Sequence, residues 1–258
     1  VYNTGTIFSG GISRYLPLLK KNNYLPDFDS VPQEILGKAR LLFLNYPNNP
    51  TAAVCDRKFY EKVVSIAKKF NIVVVSDAAY SEIYYDEPPV SFLEVDGAKE
   101  VGVEFHSLSK TYNMTGWRLG WVCGNAEVVK CIGLVKDNYD SGVFGAVQEA
   151  GVCALMSNQK CVEEMRKVYK ARRDALVNGL KRLGWNVSTP TATFYVWAEI
   201  PEGYNSSSVV GKLLDEAGIV TTPGNGLGPS GEGYIRFALT VDVSRIEDAI
   251  ERISKIKF

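Results

Sequence analysis

Three times in the first half of the chain an apolar run stops at a cluster of polar side chains. Leu41-Leu42-Phe43-Leu44 runs into Asn45-Tyr46-Pro47-Asn48-Asn49-Pro50-Thr51, and Ile72-Val73-Val74-Val75 stops at Ser76-Asp77-Ala78-Ala79-Tyr80. The stretch 101–105 leads into Ser107-Leu108-Ser109-Lys110, with Arg118 eight residues further on. Short apolar runs bounded by turn residues predict buried strands. Between the first two, Phe59, Val63, Ile66 or Ala67, and Phe70 recur at helical spacing, with Glu61, Lys62, Lys68 and Lys69 elsewhere, which predicts an amphipathic helix. A further strand is expected over 119–123. Strand, helix, strand in this rhythm gives an α/β fold with a mainly parallel sheet. Ligands of such sheets bind beyond the carboxyl ends of the strands, so the three polar clusters are expected on one functional edge.

The rest of the sequence narrows the chemistry. Lys plus Arg and Asp plus Glu both number 29 in 258 residues, a balance that argues against broad capture of nucleic acid or of an anionic membrane. No apolar run approaches the ~20 residues of a membrane span, and no signal segment opens the chain. Five cysteines without a C-x-x-C pair read as reduced thiols, so a soluble, cytoplasmic protein is expected. One histidine, His106, leaves too few ligands for a metal site and too little for Ser-His or Cys-His catalysis.

The second half is expected to begin helical, with a charged segment from about 162 to 183 closed by Gly184. Its interspersed Glu163, Glu164, Arg166, Lys167, Lys170, Arg172, Arg173 and Asp174 predict a solvated face. The alternation over 193–199 predicts a half-buried strand. A helix carrying Val209, Val210, Leu213, Leu214 and Ala217 is expected to end at Gly218, and a strand to run over 234–239. The closing helix is expected to start at a capping box of Ser244 and Glu247 and to bury Ile246, Ile250 and Ile253. A smaller α+β domain from about residue 184 follows from this change of character.

Taken singly, each polar residue has an ordinary reading. Asp77 could cap a helix, Lys110 and Arg118 could be surface cations, and Asn49 could be a turn residue. Taken together they suit pyridoxal phosphate. A lysine forms the Schiff base, a carboxylate pairs with the pyridine nitrogen, and serines with an arginine take the phosphate.

The strings N-Y-P-N-N-P-T, S-D-A-A-Y, S-L-S-K-T-Y-N-M-T-G-W-R-L-G and Y-I-R-F-A-L-T resemble the class I/II aminotransferases of the aspartate aminotransferase fold. The resemblance covers essentially the whole chain, and the S-x-S-K-x-x-x-x-x-G-x-R-x-G string is its most specific part. It implies a three-layer α/β large domain over 1–183, incomplete at its N-terminal side, and a small domain over 184–258. It also implies pyridoxal 5'-phosphate, a homodimer, and amino-acid and 2-keto-acid substrates. Lys110 would carry the cofactor and move the proton at the substrate Cα, and Asp77 would keep the pyridine nitrogen protonated. Asn49 and Tyr80 would bond the ring oxygen, and Ser107, Ser109 and Arg118 the phosphate. Arg236 would clamp the substrate carboxylate. Where many members have glycine after N-P-T, this chain has Ala52.

Within the family, G-T-I-F-S-G-G, D-S-G-V-F, A-T-F-Y-V-W and T-P-G with G-P-S-G-E-G look like the LL-diaminopimelate aminotransferase branch. That branch implies exchange between glutamate/2-oxoglutarate and tetrahydrodipicolinate in lysine biosynthesis. Aspartate or broad-specificity aminotransferases, a β C–S lyase, and a regulator's effector domain are the other readings. The chain opens at Val1 as if inside the large domain. Roughly the first third of a typical member is therefore expected to be missing, and the isolated chain is expected to turn over poorly.

Overall fold

A computed structural model describes residues 1–258. Helix α1 (Tyr2–Phe8) and α2 (Gln33–Lys38) precede strand β1 (Leu41–Asn45), helix α3 (Arg57–Phe70) and strand β2 (Val73–Asp77). The short helix α4 (Ala98–Val101), strand β3 (Gly102–Ser107), one turn of helix α5 (Leu108–Thr111) and strand β4 (Gly120–Gly124) follow. These strands form one sheet in the order β1-β2-β3-β4, parallel except for the antiparallel β3–β4 pair. Three helices then run in succession: α6 (Ala126–Tyr139), α7 (Gly145–Met156) and α8 (Lys160–Arg182). Strand β5 (Tyr195–Glu199), helix α9 (Ser206–Ala217), strands β6 (Thr222–Pro223) and β7 (Tyr234–Ala238) and helix α10 (Val243–Ile253) complete the chain. The second sheet is antiparallel, in the order β5-β7-β6.

The α/β class and the mainly parallel first sheet agree with the sequence. The Asp56 carboxylate accepts from Phe59 N–H at 2.8 Å and caps α3. That helix buries Tyr60, Val63, Val64 and Ala67, a face rotated from the predicted stripe, with Phe59 and Ile66 only partly covered. Strand β1 is the sheet edge, so Leu41 is exposed rather than buried. Two apolar cores result. One joins β1, β2 and α3; the larger one joins Tyr80, Ile83 and Tyr85 to α8, the second sheet, α9 and α10. Helices α8 and α10 approach at Gly179, where an added Cβ would fall 2.5 Å from Ile250 Cγ1.

Three expectations fail for packing reasons. Arg173 is 6% exposed, because its guanidinium bonds Pro190 O and lies over the Tyr85 ring; that part of α8 is not a solvated face. The capping box is not formed: Asp242 occupies the N-cap position of α10, Ser244 lies inside the helix, and the Asp242 carboxylate pairs with Arg172 at 2.9 Å. Strand β5 is buried on both faces from Tyr195 to Ala198, since Val196 and Ala198 face the core while Tyr195 and Trp197 are covered on the other side. That covered side is where the polar clusters meet.

Glu104, on β3, is 2% exposed and fully engaged. It accepts from Phe92 N–H at 2.9 Å, Ser91 Oγ at 2.8 Å and Ser76 Oγ at 3.3 Å, with His106 Nε2 at 2.9 Å. Burial pushes its carboxyl upward, but the bonds from His106, Ser91 and Phe92 outweigh burial and leave it below the ordinary carboxylate value. A depressed folded value means that the stabilisation is present above the ordinary value near 4.5 and is lost as pH falls through the folded one. Glu104→Ala should therefore cost about 3 kcal/mol at neutral pH, measured by urea unfolding, and less at pH 3, where the unfolded carboxylate is protonated and the native preference for its charged form adds less stability for the variant to lose. An equal loss at both pH values would refute this.

No helix is long and apolar enough to cross a membrane. No group of three or more His, Cys, Asp or Glu side chains is placed to hold a metal ion.

Candidate active site

Parallel pairing sets the site. Asn45 is opposite Asp77, and Asp77 opposite Phe105, so β1 and β2 end level, β3 runs two residues further to Ser107, and all three release their polar residues at one edge. Asn45 Nδ2 donates to Asp77 O at 2.9 Å, and Asn45 Oδ1 accepts from Asn49 N–H at 2.9 Å. Asn49 is thereby fixed over the strand end. Its Nδ2 reaches Tyr80 Oη at 3.5 Å, and its Oδ1 accepts from Arg236 Nη1 at 2.7 Å. Ala52, in the same turn, has φ 58°, a left-handed conformation that favours glycine.

No helix follows Asp77, so a capping role is absent; its Oδ1 instead accepts from Ala79 N–H at 3.1 Å. Its other oxygen accepts from the Tyr2 hydroxyl at 2.5 Å. The Tyr2 ring is stacked on Phe43 at 5.0 Å. Burial, and then the Asp77 carboxylate itself, push the Tyr2 phenol well above its ordinary value, so it remains a donor toward that carboxylate. Tyr2 was not singled out from the sequence. It lies 75 residues from its partner, and no spacing rule connects them.

Tyr80 is buried, with its hydroxyl 3.2 Å from Tyr195 Oη. Burial and then the Tyr195 contact raise its phenol well above the ordinary value, the nearby Arg236 cation opposing. Arg236 projects from the face of β7 opposite the apolar Ile235 and Phe237. Its Nη2 donates to Thr222 Oγ1 at 3.2 Å, its guanidinium lies 4.3 Å over the Tyr195 ring, and its buried Nε–H has no partner. A buried guanidinium N–H left unmade is costly, and an anion at this place would satisfy it.

Lys110 lies not at the strand end but on the single turn α5 that follows β3. Ser107 Oγ caps that turn by accepting from Ser109 N–H at 3.1 Å. Lys110 Nζ is 5.8 Å from the Phe194 ring centroid, and Phe194 packs edge-on against Tyr80, which ties the lysine to the Asn49–Tyr80–Arg236 group. Ser109 is buried and its carbonyl accepts from Thr115 Oγ1 at 3.1 Å. Arg118 has φ 54° and donates through Nη1 to Thr115 O at 2.9 Å, which leaves most of its fork exposed. Asp77, Asn49, Tyr80 and Arg236 are thus joined by bonds, Lys110 by packing. Ser107, Ser109 and Arg118 lie around one turn beside them.

The arrangement offers an amine, a fixed carboxylate, two serines on a tight turn with an arginine linked to it through Thr115, and a second arginine with an unpartnered N–H. Residues 1–253 match the family model described as aminotransferase class I and II. The chain is 54% identical over 259 residues to an LL-diaminopimelate aminotransferase of Syntrophobacter fumaroxidans, an alignment covering 100% of the chain and 67% of that protein. It is 52% identical to one of Aquifex aeolicus, covering 100% and 67%. Among solved structures, substrate-bound BacF from Bacillus subtilis superposes with a TM-score of 0.97 at 38% identity, covering 100% of this chain and 66% of that one. An aspartate aminotransferase double mutant from Thermus thermophilus gives 0.89 at 30% identity, covering 96% and 65%. The chain spans about two thirds of the length of these relatives.

Proposed function

The chain belongs to the class I and II aminotransferase family, and from that premise we propose that it transfers an amino group between LL-diaminopimelate and a 2-keto acid. The observation that carries this reading is the linked group Asn49–Tyr80–Arg236 placed beside Asp77 and Lys110 at one sheet edge. The choice of substrate rests on the whole-chain identity to LL-diaminopimelate aminotransferases. Glutamate with 2-oxoglutarate is the expected partner couple, and tetrahydrodipicolinate the product side.

The residues fit pyridoxal 5'-phosphate. Ser107, Ser109 and Arg118 would hold the phosphate, since the turn carries the two serines and Arg118, linked to it through Thr115, has a fork whose remaining N–H groups are exposed. Asp77, fixed by Tyr2 and Ala79 N–H, would hold a protonated ring nitrogen; Asn49 and Tyr80 would donate to the ring oxygen. When bound, the cofactor supplies an aldehyde for the amine and an electron-withdrawing ring that makes the substrate Cα acidic. Lys110 then takes the proton from that carbon and returns it, acting as general base and acid. Arg236 binds the α-carboxylate through Nε–H and a terminal N–H, which orients the Cα–H bond toward Lys110. Phe194 and Tyr195 exclude water on the side of the second sheet.

This reading assigns cofactor binding to residues 1–183 and places Arg236 on a substrate-closing unit over 184–258. It also includes a cytoplasmic homodimer. Leu134, Val135, Tyr139, Phe144 and Met156, apolar and exposed along α6 and α7, support a subunit contact there.

The test is an amino-donor and keto-acceptor panel followed by the cofactor absorbance change. LL-Diaminopimelate with 2-oxoglutarate should exceed aspartate by at least about tenfold in kcat/KM, about 1.4 kcal/mol of discrimination. Borohydride reduction and peptide mapping should place the label on Lys110. Preference for aspartate would refute the substrate. Release of pyruvate and ammonia without a keto acid would indicate a lyase, and a label on Lys20, Lys130 or Lys136 would end the site assignment.

A further inference from the structure

Arg236 is restrained in its plane by two hydrogen bonds, Nη1 to Asn49 Oδ1 at 2.7 Å and Nη2 to Thr222 Oγ1 at 3.2 Å. Bonds at the two terminal nitrogens locate the fork but leave its tilt free. Tilt decides where the unpartnered Nε–H points. The one aromatic face against the guanidinium belongs to Tyr195, at 4.3 Å. Planar guanidinium groups stack on aromatic rings, so this contact sets the remaining angle.

Tyr195 is itself held from several sides. It is 8% exposed; its hydroxyl is 3.2 Å from Tyr80 Oη, and its ring meets Tyr80 at 68° and Phe194 at 54°. Its backbone N–H is bonded to Thr193 Oγ1 at 3.2 Å. A side chain fixed in this way transmits a fixed plane. It belongs to the larger core through Tyr80 and Phe194, and it is on the same side of β5 as Trp197, whose partner in the register is Arg236.

We propose that Tyr195 is a positioning residue for carboxylate recognition: its ring sets the plane of the Arg236 guanidinium so that Nε–H faces the incoming carboxylate. The inference rests on Arg236 being the carboxylate-binding group. A role in packing alone would change stability and leave carboxylate affinity untouched.

The test is isothermal titration of the cofactor-loaded protein with glutarate, the glutamate skeleton without its amino group. Tyr195→Leu should weaken binding about tenfold, the size of a desolvated cation–π contact. Tyr195→Phe keeps the ring and should bind within about twofold of the native protein. Tyr195→Met, which fills more of the volume without an aromatic face, should match Leu and serves if Leu does not fold. Native-like binding in the Leu or Met variant overturns the proposal, as does a Phe variant as weak as Leu. Arg236→Lys is measured in parallel. If it leaves glutarate binding unchanged, the assignment of Arg236 falls and the proposal falls with it. If it weakens binding while Tyr195→Leu does not, only the role of Tyr195 falls.

Discussion

Lys110→Ala is expected to lower the half-reaction with LL-diaminopimelate by at least about a thousandfold, measured in single turnover from the cofactor absorbance change. General acid–base catalysis by a positioned side chain contributes about 10²- to 10⁴-fold, and here the same amine also attaches the cofactor. Cofactor should still bind, because Ser107 and Ser109, on the lysine's turn, and Arg118, linked to it through Thr115, are held by bonds that do not involve the Lys110 amine. The fold should be intact as well, since Lys110 Nζ takes part in no salt bridge and lies 5.8 Å from the Phe194 ring centroid. Activity within tenfold of the native protein would remove Lys110 from the chemistry. Loss of both activity and cofactor would instead place the lysine among the binding groups.

Asp77→Asn is expected to reduce turnover by roughly two to three orders of magnitude, the size of losing one preorganised electrostatic partner in a closed site. Asparagine keeps the shape and one acceptor, so the Ala79 N–H bond can persist. It cannot keep the negative charge that the Tyr2 donor and the strand end hold in place. The neutral amide would leave a ring nitrogen unprotonated, so the fall should appear in kcat, with cofactor affinity changing less. Tyr2→Phe offers the graded comparison. It removes one bond to the carboxylate but leaves the charge, and should cost about tenfold, the low end for a single hydrogen bond to a charged group. A near-native rate in Asp77→Asn would show that the carboxylate serves only the turn at Ala79.

Both expectations concern residues that the sequence alone singles out. The strand ends at Asn45, Asp77 and Ser107 follow from apolar runs that stop abruptly, and a parallel sheet delivers such ends to one edge whatever the details of packing. The α/β class and the glycine stop at Gly218, which has φ 60°, were legible for the same local reason. Family resemblance supplied the roles, and local pattern supplied the places.

Contacts between distant faces were not legible. Asn49 and Arg236 are 187 residues apart, Tyr80 and Tyr195 are 115 apart, and Tyr2 and Asp77 are 75 apart. Periodicity in one segment says which side of a strand is apolar, but not what a second segment lays over the other side. Alternation over 193–199 therefore predicted a half-buried strand, whereas Tyr195 and Trp197 are buried along with Val196 and Ala198. The same limit hid Arg173, whose charge suggested solvent although Tyr85 and Pro190 O bury it. It hid the start of α10 too, where Arg172 of another helix engages Asp242 and the Ser244–Glu247 pair caps nothing. Local chemistry and period are written within a few residues of chain and specify the elements and where each ends. Burial, partner choice and guanidinium tilt depend on surfaces that meet only after the two sheets and α8 have packed, so only the tertiary structure decides them.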